Sequence, residues 1–275
     1  HTNKKAEDFK IDISDSLEDQ NWKSFIAPRN EVLIGGCTFL KNWIIRSETS
    51  NALDKLFVRS ISTNVEEELI FSDENIYVPG ISLIQKSRDT DEVYLGYSSP
   101  KTPARVYKYN LSNKSKELVK EQEIPSGHNK DDYIVERVEF ESHDGRLVPL
   151  TIIRHKKTKL DGSANLLLYG YGSYGNSMSP NFSSTHLSLI NRDIIWATAH
   201  IRGGMEKGMK WWKEGKLTNK KNTFEDYIHA AKYLIEKNYS SKGKIIGMGG
   251  SAGGLLMGAV VNQAPELFLG IVMAV

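Results

Sequence analysis

The sequence predicts an all-β region followed by an α/β region, and three observations support this division. Short strand-like runs, separated by turn-forming residues, fill roughly the first 125 positions. From about Ser126 onward, strand-like and helix-like runs alternate, which is typical of a sheet covered by helices. A Gly-x-Ser-x-Gly pattern centred on Ser251 lies between a strand-like run and a helix-like run.

The composition is that of an ordinary globular protein. The 275 residues include 36 basic and 34 acidic side chains, and the net charge of +2 gives no reason to expect a nucleic-acid partner. No apolar run approaches the roughly 18 residues that a membrane span needs. The single cysteine, Cys37, can form no internal disulfide, which favours a reducing compartment. We therefore expect no membrane partner and no internal disulfide.

The first region, residues 1–127, contains a repeat with a period of 50 residues. In hydrophobic pattern, residues 56–62 align with residues 106–112, and residues 43–45 align with residues 93–95. Such a period is typical of β-propeller blades, whereas coincidental spacing would fit a β-sandwich. This length gives two to three blades, and propellers usually close with about four or more. We therefore expect further blades before His1. The predicted strands are residues 31–34, 43–45, 55–59, 81–84, 93–97 and 105–109.

The second region, residues 128–275, begins with a predicted hairpin that turns at Asp144-Gly145. Buried strands and amphipathic helices follow it, and Thr223 is predicted to cap the longest helix. The hairpin strands are predicted at residues 133–140 and 147–153, the later strands at 164–170, 194–200, 244–248 and 269–275, and the helices at 184–191, 223–237 and 255–263.

Ser251 lies where a strand changes sharply into a helix. Glycine and alanine at positions 249 and 252–254 let the strand and the helix approach each other closely. The helix also directs its first N–H groups toward any developing oxyanion. This context is that of a serine nucleophile, and the order of the elements is that of an α/β-hydrolase that is incomplete after the nucleophile helix and the next strand.

The partners of Ser251 are expected beyond Val275. In this fold an Asp or Glu and then a His follow the serine. The 24 residues after Ser251 contain neither Asp nor His, and their single charged residue, Glu266, lies at a predicted helix end well before the last predicted strand. Three earlier histidines stand in the wrong chain order, and His200, at a strand end, is the least improbable of His186, His200 and His229. The Ala252 N–H is one expected oxyanion donor, and a tyrosine O–H from the loop at residues 169–175 is a candidate for the second.

From about Ile134 onward, the chain resembles the prolyl oligopeptidase family of serine peptidases, and within it the oligopeptidase B branch. The first region is similar, more weakly, to the last blades of that family's propeller, including residues 97–100. The motifs that carry the resemblance are residues 169–175, 202–204, 220–227, 249–254 and 262–268.

The resemblance implies a cytoplasmic peptidase whose propeller restricts entry to short peptides. It implies that Ser251 forms the acyl intermediate, and that Tyr171 and the Ala252 N–H form the oxyanion hole. Cleavage after Arg or Lys is implied by the oligopeptidase B branch, with the selecting residues beyond Val275. Post-proline cleavage, another hydrolase activity of the same fold, and an inactive fragment remain alternatives. No metal or cofactor is expected, because the histidines and the cysteine lack ligand spacing.

Two departures from the family pattern bear on specificity. Oligopeptidase B relatives often carry two aspartates just after the tyrosine loop, where this chain has Ser179 and Asn181. The family commonly reads Arg-Gly-Gly-Gly-Glu, where this chain has Met205 before Glu206. The first departure weakens the expectation of a basic residue at the neighbouring subsite. The second places a side chain in the loop beside the nucleophile.

Overall fold

The computed structural model describes residues 1–16, 18, 21–82 and 87–274. The described strands form four sheets, of which the first is a two-stranded antiparallel pair, β1 (Ile11–Ile13) and β2 (Lys23–Ile26). Part of the predicted strand at residues 81–84, and Val275 at the end of the last predicted strand, lie outside the described residues.

Two four-stranded antiparallel sheets follow along the chain. In each sheet, strands that are consecutive in sequence are also neighbours in space, as in a propeller blade. The first sheet contains β3 (Val32–Phe39), β4 (Trp43–Ser50), β5 (Leu53–Ser60) and β6 (Glu66–Glu68). The second contains β7 (Val78–Ser82), β8 (Glu92–Ser99), β9 (Thr102–Asn110) and β10 (Lys116–Glu121).

These sheets confirm the predicted propeller blades. The aligned runs of the 50-residue repeat fall on the second and third strands of each sheet. Burial alternates along β8, so that one side of the strand faces the core. Ile45 and Val58 of the first sheet and Val93 and Leu95 of the second lie in one buried cluster. The shared core explains why the hydrophobic pattern repeats although few residues are identical.

The second region folds into a six-stranded sheet, with the strand order β11-β12-β14-β13-β15-β16. The hairpin strands pair antiparallel, and β13 to β16 form a parallel set. The strands are β11 (Tyr133–Glu141), β12 (Leu147–His155), β13 (Leu166–Tyr169), β14 (Ile195–Ala199), β15 (Ile245–Gly250) and β16 (Phe268–Ala274). The helices are α1 (Ser184–Ile190), α2 (Gly208–Lys213), α3 (Lys221–Glu236) and α4 (Ala252–Gln263).

Helices cover the sheet, which confirms the predicted α/β-hydrolase fold. Tyr227 and Leu234 of α3 and Leu256 of α4 are fully buried against the sheet residues Leu150 and Leu168. Fully burying each such large apolar side chain contributes about 1.5–3 kcal/mol. Helix α1 packs in a separate cluster with Trp196. The carboxyl ends of β13, β14 and β15 meet at one edge of the sheet, because these strands run parallel. The tyrosine loop (residues 169–175) follows β13, and the Arg202 loop (residues 200–207) follows β14. Ser251 follows β15.

The predicted cap of α3 is wrong. The helix begins at Lys221, so Thr223 lies inside its first turn and is fully buried. The Thr223 hydroxyl donates to the carbonyl oxygens of Arg202 (2.8 Å) and Gly215 (3.2 Å). The Thr223 hydroxyl is therefore hydrogen-bonded to carbonyl groups of adjacent loops, whereas a capping hydroxyl would accept from an N–H group of its own helix. No helix in the described part of the chain is long and apolar enough to cross a membrane.

Candidate active site

Ser251 adopts a strained conformation between β15 and α4. Its φ of 53° and ψ of −118° are unusual for a residue with a side chain, and such strain costs on the order of 1–3 kcal/mol. Two hydrogen bonds hold it: the Ser251 N–H donates to the Ala274 carbonyl at 2.9 Å, and the Ser251 carbonyl accepts from the Gly254 N–H at 2.8 Å. The residue is exposed, so its hydroxyl is accessible.

Two glycines allow this turn. A Cβ at position 249 would clash with the carbonyl oxygen of Gly253, so Gly249 lets β15 and α4 meet. A Cβ at position 253 would lie 3.0 Å from the carbonyl oxygen of Gly170, which brings the tyrosine loop against the same turn. The pattern around Ser251 is therefore required by backbone contacts between three segments.

Ala252 lies in the first turn of α4, and the ring of Tyr171 lies beside that turn. Ala252 is the first residue of the helix, so its N–H has no carbonyl four residues earlier within the helix to receive it. A Cβ at position 253 would lie 3.5 Å from the Cδ2 atom of Tyr171, which places the tyrosine ring beside that turn. The Gly170 N–H donates to the Met248 carbonyl at 3.1 Å and fixes where the tyrosine loop leaves the sheet.

Lys220 holds the other side of the tyrosine loop. Its ammonium group donates to the Gly172 carbonyl at 2.6 Å and to the Ser173 hydroxyl at 2.7 Å. Burial lowers the pKa of Lys220 to about 8. Sequence reasoning missed this role, because a lysine in the polar run that ends at Asn222 looks like a solvent-exposed side chain.

A buried ion pair fixes the loop after β14. The Arg202 guanidinium, which is 1% exposed, donates to both carboxylate oxygens of the fully buried Asp226 at 2.6–3.2 Å. The Arg202 backbone N–H also donates to Asp226, and Asp144 of the hairpin turn pairs with the same guanidinium. Three elements, the β11–β12 turn, α3 and the Arg202 loop, are therefore joined by one charge cluster.

The three earlier histidines contact groups other than the Ser251 hydroxyl in the part of the chain that the structure describes. His200 is fully buried, lies 2.7 Å from the Thr151 hydroxyl, and has a pKa that burial and Arg137 keep well below its ordinary value. His186 stacks on Trp196, and burial lowers its pKa to about 4. His229 lies 2.9 Å from the carbonyl oxygen of Glu225. Among the described residues, no hydrogen bond joins the Ser251 hydroxyl to a histidine.

The segment at residues 204–206 lies between the tyrosine loop and the propeller blades. Met205, the departure from the family pattern, packs its side chain against Gly175 of the tyrosine loop. The Glu206 carbonyl accepts from the N–H of Ala52, in the β4–β5 turn, at 2.9 Å, and Arg137 donates to the Ala52 carbonyl at 3.1 Å. The Glu206 carboxylate accepts from the Met178 N–H at 3.0 Å. This segment therefore contacts both regions of the chain.

Folding stability is expected to fall with rising pH because of Glu206. Burial raises its pKa from 4.5 to about 7. The folded state thus binds this proton more tightly than the unfolded chain, and the stability that it contributes is complete below about pH 4.5 and lost as the pH rises to about 7. Relative to Glu206→Gln, the wild type should lose up to about 3 kcal/mol across this range. Urea denaturation of both proteins at pH 5 and pH 8 measures the difference, and parallel pH profiles would refute the assignment.

Comparison with known proteins finds a matching family model for each of the two regions of the chain. The family model for the prolyl oligopeptidase N-terminal beta-propeller domain matches residues 1–122, and the model for the prolyl oligopeptidase family matches residues 180–275. The chain belongs to the prolyl oligopeptidase family. The family expected from the tyrosine loop and the Ser251 motif is therefore confirmed, as are the propeller and the hydrolase fold.

Several relatives of known identity match almost all of the chain. Over 96% of the present chain, it is 40% identical to dipeptidyl aminopeptidase BI of Pseudoxanthomonas mexicana. Over 97% of the present chain, it is 35% identical to protease 2 of Moraxella lacunata. It is also similar to the structure of oligopeptidase B from Trypanosoma brucei with covalently bound antipain, with 30% identity over 92% of the chain and a TM-score of 0.85. The chain spans 36% of each of the first two relatives and 37% of the third.

Proposed function

We propose that the protein is a serine peptidase that hydrolyses short peptides through an acyl-enzyme at Ser251. The observation that carries this proposal is the exposed Ser251 at a φ of 53°, with the free N–H of Ala252 at the start of α4 beside it. The names of the relatives support a peptidase over another hydrolase of this fold. The domain boundary near residue 127, which follows the change from antiparallel blades to the mixed sheet, is part of the same proposal.

The proposed mechanism has two acyl-transfer steps. The Ser251 Oγ attacks the carbonyl carbon of the scissile bond while its proton passes to a histidine, which we propose comes from sequence after Val275 together with the acid that orients it. The Ala252 N–H and the Tyr171 O–H donate to the tetrahedral oxyanion. The carbon–nitrogen bond breaks, the histidine protonates the leaving amine, and water then releases the acyl group by the reverse pathway.

The proposed substrates are peptides with Arg or Lys before the scissile bond. The resemblance to the oligopeptidase B branch supports this choice, and proteins named protease 2 and oligopeptidase B are among the similar ones. A second candidate activity is the removal of dipeptides from a free amino terminus, which the name of the relative at 40% identity favours. Ser179 and Asn181 line a small cavity near Trp196, where they offer no carboxylate to a second basic side chain. A cytoplasmic location is also proposed, and the single cysteine supports it.

A matched pair of substrates tests the proposal. The first two substrates are peptide amides with the sequence Ala-Arg before a fluorescent leaving group, one with a free and one with a blocked amino terminus. The third substrate has Ala-Pro in place of Ala-Arg. Full-length protein should cleave both Arg substrates at least about tenfold faster, in kcat/KM, than the Pro substrate, which corresponds to about 1.4 kcal/mol. Cleavage of the free form alone would favour the second candidate, the removal of dipeptides from a free amino terminus. Preference for Pro would contradict the proposed specificity, and hydrolysis of none would contradict the peptidase assignment.

A further inference from the structure

We propose that Lys220 is a positioning residue for oxyanion stabilisation, because its ammonium group fixes the backbone of the tyrosine loop next to Tyr171. The inference rests on the proposed function, in which the Tyr171 hydroxyl donates to the oxyanion. Lys220 itself touches no reacting atom. It acts through Gly172 and Ser173, the two residues that follow Tyr171 in the chain.

Two anchors define where the Tyr171 side chain starts. On the amino-terminal side, the Gly170 N–H donates to Met248 of β15 at 3.1 Å, and a Cβ at position 170 would clash with the Tyr227 ring. On the carboxyl-terminal side, Lys220 donates to the Gly172 carbonyl at 2.6 Å. Tyr171 therefore lies between a residue held by the sheet and a residue held by the ammonium group.

The backbone after Tyr171 needs such an anchor. Gly172 has a φ of +63°, a left-handed conformation that favours glycine, and a Cβ at this position would clash with Thr223. Beyond it, Tyr174 also has a positive φ of 56° and is 74% exposed, so its side chain adds little packing to the loop. The Gly175 N–H donates to the Gly203 carbonyl at 2.9 Å. Between Tyr171 and that bond, Lys220 provides the two side-chain hydrogen bonds that fix the loop from outside.

The position of Lys220 is better explained by this role than by a surface ion pair. In the part of the chain that the structure describes, Lys220 forms no ion pair, and both acceptors of its ammonium group are neutral oxygens of the tyrosine loop. A partly buried cation without a carboxylate is unfavourable, because burial disfavours its charged form. Hydrogen bonds from a charged donor are roughly twice as strong as neutral ones. The two charge-assisted hydrogen bonds to the tyrosine loop thus offset part of the free-energy cost of burying the Lys220 ammonium group.

A double-mutant cycle in the full-length protein tests the inference. Lys220→Met keeps the length of the side chain and removes the donors, and it should lower kcat about 10- to 100-fold with little change in KM, since misplacing an oxyanion donor by about 1 Å costs up to about 100-fold. Tyr171→Phe removes the donor itself and should lower kcat about 100- to 1,000-fold. In the Tyr171→Phe background, Lys220→Met should cause less than about a twofold further loss, because its effect passes through the missing hydroxyl.

The adjacent lysine provides a matched control. Lys221 is exposed and forms no side-chain hydrogen bond or ion pair among the described residues, so Lys221→Met should leave kcat and KM unchanged. Should Lys220→Met fail to fold, Ser173→Ala removes one of the two acceptors of the ammonium group. This variant should lower kcat severalfold when Tyr171 is intact and should have no further effect in the Tyr171→Phe background.

The outcomes separate the two proposals. If Tyr171→Phe retains full kcat, the oxyanion role of Tyr171 in the proposed function is wrong. If Tyr171→Phe loses activity but the losses from Lys220→Met and Tyr171→Phe multiply, the proposed function stands and the positioning role of Lys220 is refuted. A rise in KM alone after Lys220→Met also refutes it, because a misplaced oxyanion donor acts on the transition state rather than on substrate binding.

Discussion

Ser251→Ala should abolish peptide hydrolysis by the full-length protein, with a fall in kcat of about five to six orders of magnitude. The substitution removes the only oxygen on the strained turn that can attack the scissile carbonyl. Removing the nucleophile of a serine protease leaves only the residual rate that binding and the oxyanion hole provide. KM should change little, because the methyl group of alanine fits wherever the serine side chain fits.

A fluorophosphonate probe and a control variant complete this test. The probe should label full-length wild type at Ser251 and should not label Ser251→Ala. It should label the isolated 275-residue chain poorly, because a serine without a base keeps a weakly nucleophilic hydroxyl. Ser188→Ala, at an exposed position of α1, should keep full activity and labelling. Equal labelling of the two wild-type forms would show that the base lies within residues 1–275 and would overturn the assignment of missing partners.

The second large effect is expected at the buried charge cluster. Among the described residues, Asp226→Ala leaves the Arg202 guanidinium, 1% exposed, with only the partly exposed Asp144 as its counter-charge. Breaking a buried pair by removing one partner costs about 3–5 kcal/mol. The free energy of unfolding should therefore fall by about that amount, and the Arg202 loop should lose the acceptor of its backbone N–H.

Urea denaturation measures this loss, and a surface pair provides the comparison. Lys41 and Asp89 form an ion pair in which both side chains are mostly exposed, so Asp89→Asn should change stability by less than about 1 kcal/mol. The double variant Arg202→Met with Asp226→Leu should be more stable than Asp226→Ala, because neither charge is then left buried without a partner. A loss below about 1 kcal/mol for Asp226→Ala would show that Asp144 alone satisfies the guanidinium.

Much of the fold and of the nucleophile turn was predictable from local sequence. Strand and helix periodicity located the hairpin, the parallel strands and the helices α1, α3 and α4, whereas α2 was not predicted. Glycines around Ser251 predicted a tight turn, and the structure gives the backbone contacts that favour glycine at positions 249 and 253. The 50-residue repeat predicted two to three blades, and its aligned runs fall on the second and third strands of both four-stranded sheets. These features depend on neighbours in the chain, which is why the sequence contains them.

The parts that sequence reasoning missed depend on contacts between distant residues. Thr223 has the residue type of a helix cap, but its hydroxyl is used by carbonyl groups of two other loops. Lys220 and Glu206 look like surface charges, yet one is bonded to the tyrosine loop and the other is 1% exposed. No periodicity distinguishes a charged side chain that the fold will bury from one that it will leave in water.

The contacts of Ala52 with Glu206 and Arg137 bear on whether the two regions can be treated as interchangeable modules. Separating the two regions at the polar linker near residue 127 breaks one peptide bond. It also removes Ala52, the hydrogen-bond partner of the Glu206 carbonyl and of the Arg137 guanidinium, from the hydrolase region. The Phe182 N–H, which donates to the Ser98 hydroxyl at 3.0 Å, would lose its acceptor as well. A hydrolase region transplanted onto another propeller would need a host turn that supplies both backbone groups of Ala52. The seam between the regions is thus defined by hydrogen bonds as much as by the linker.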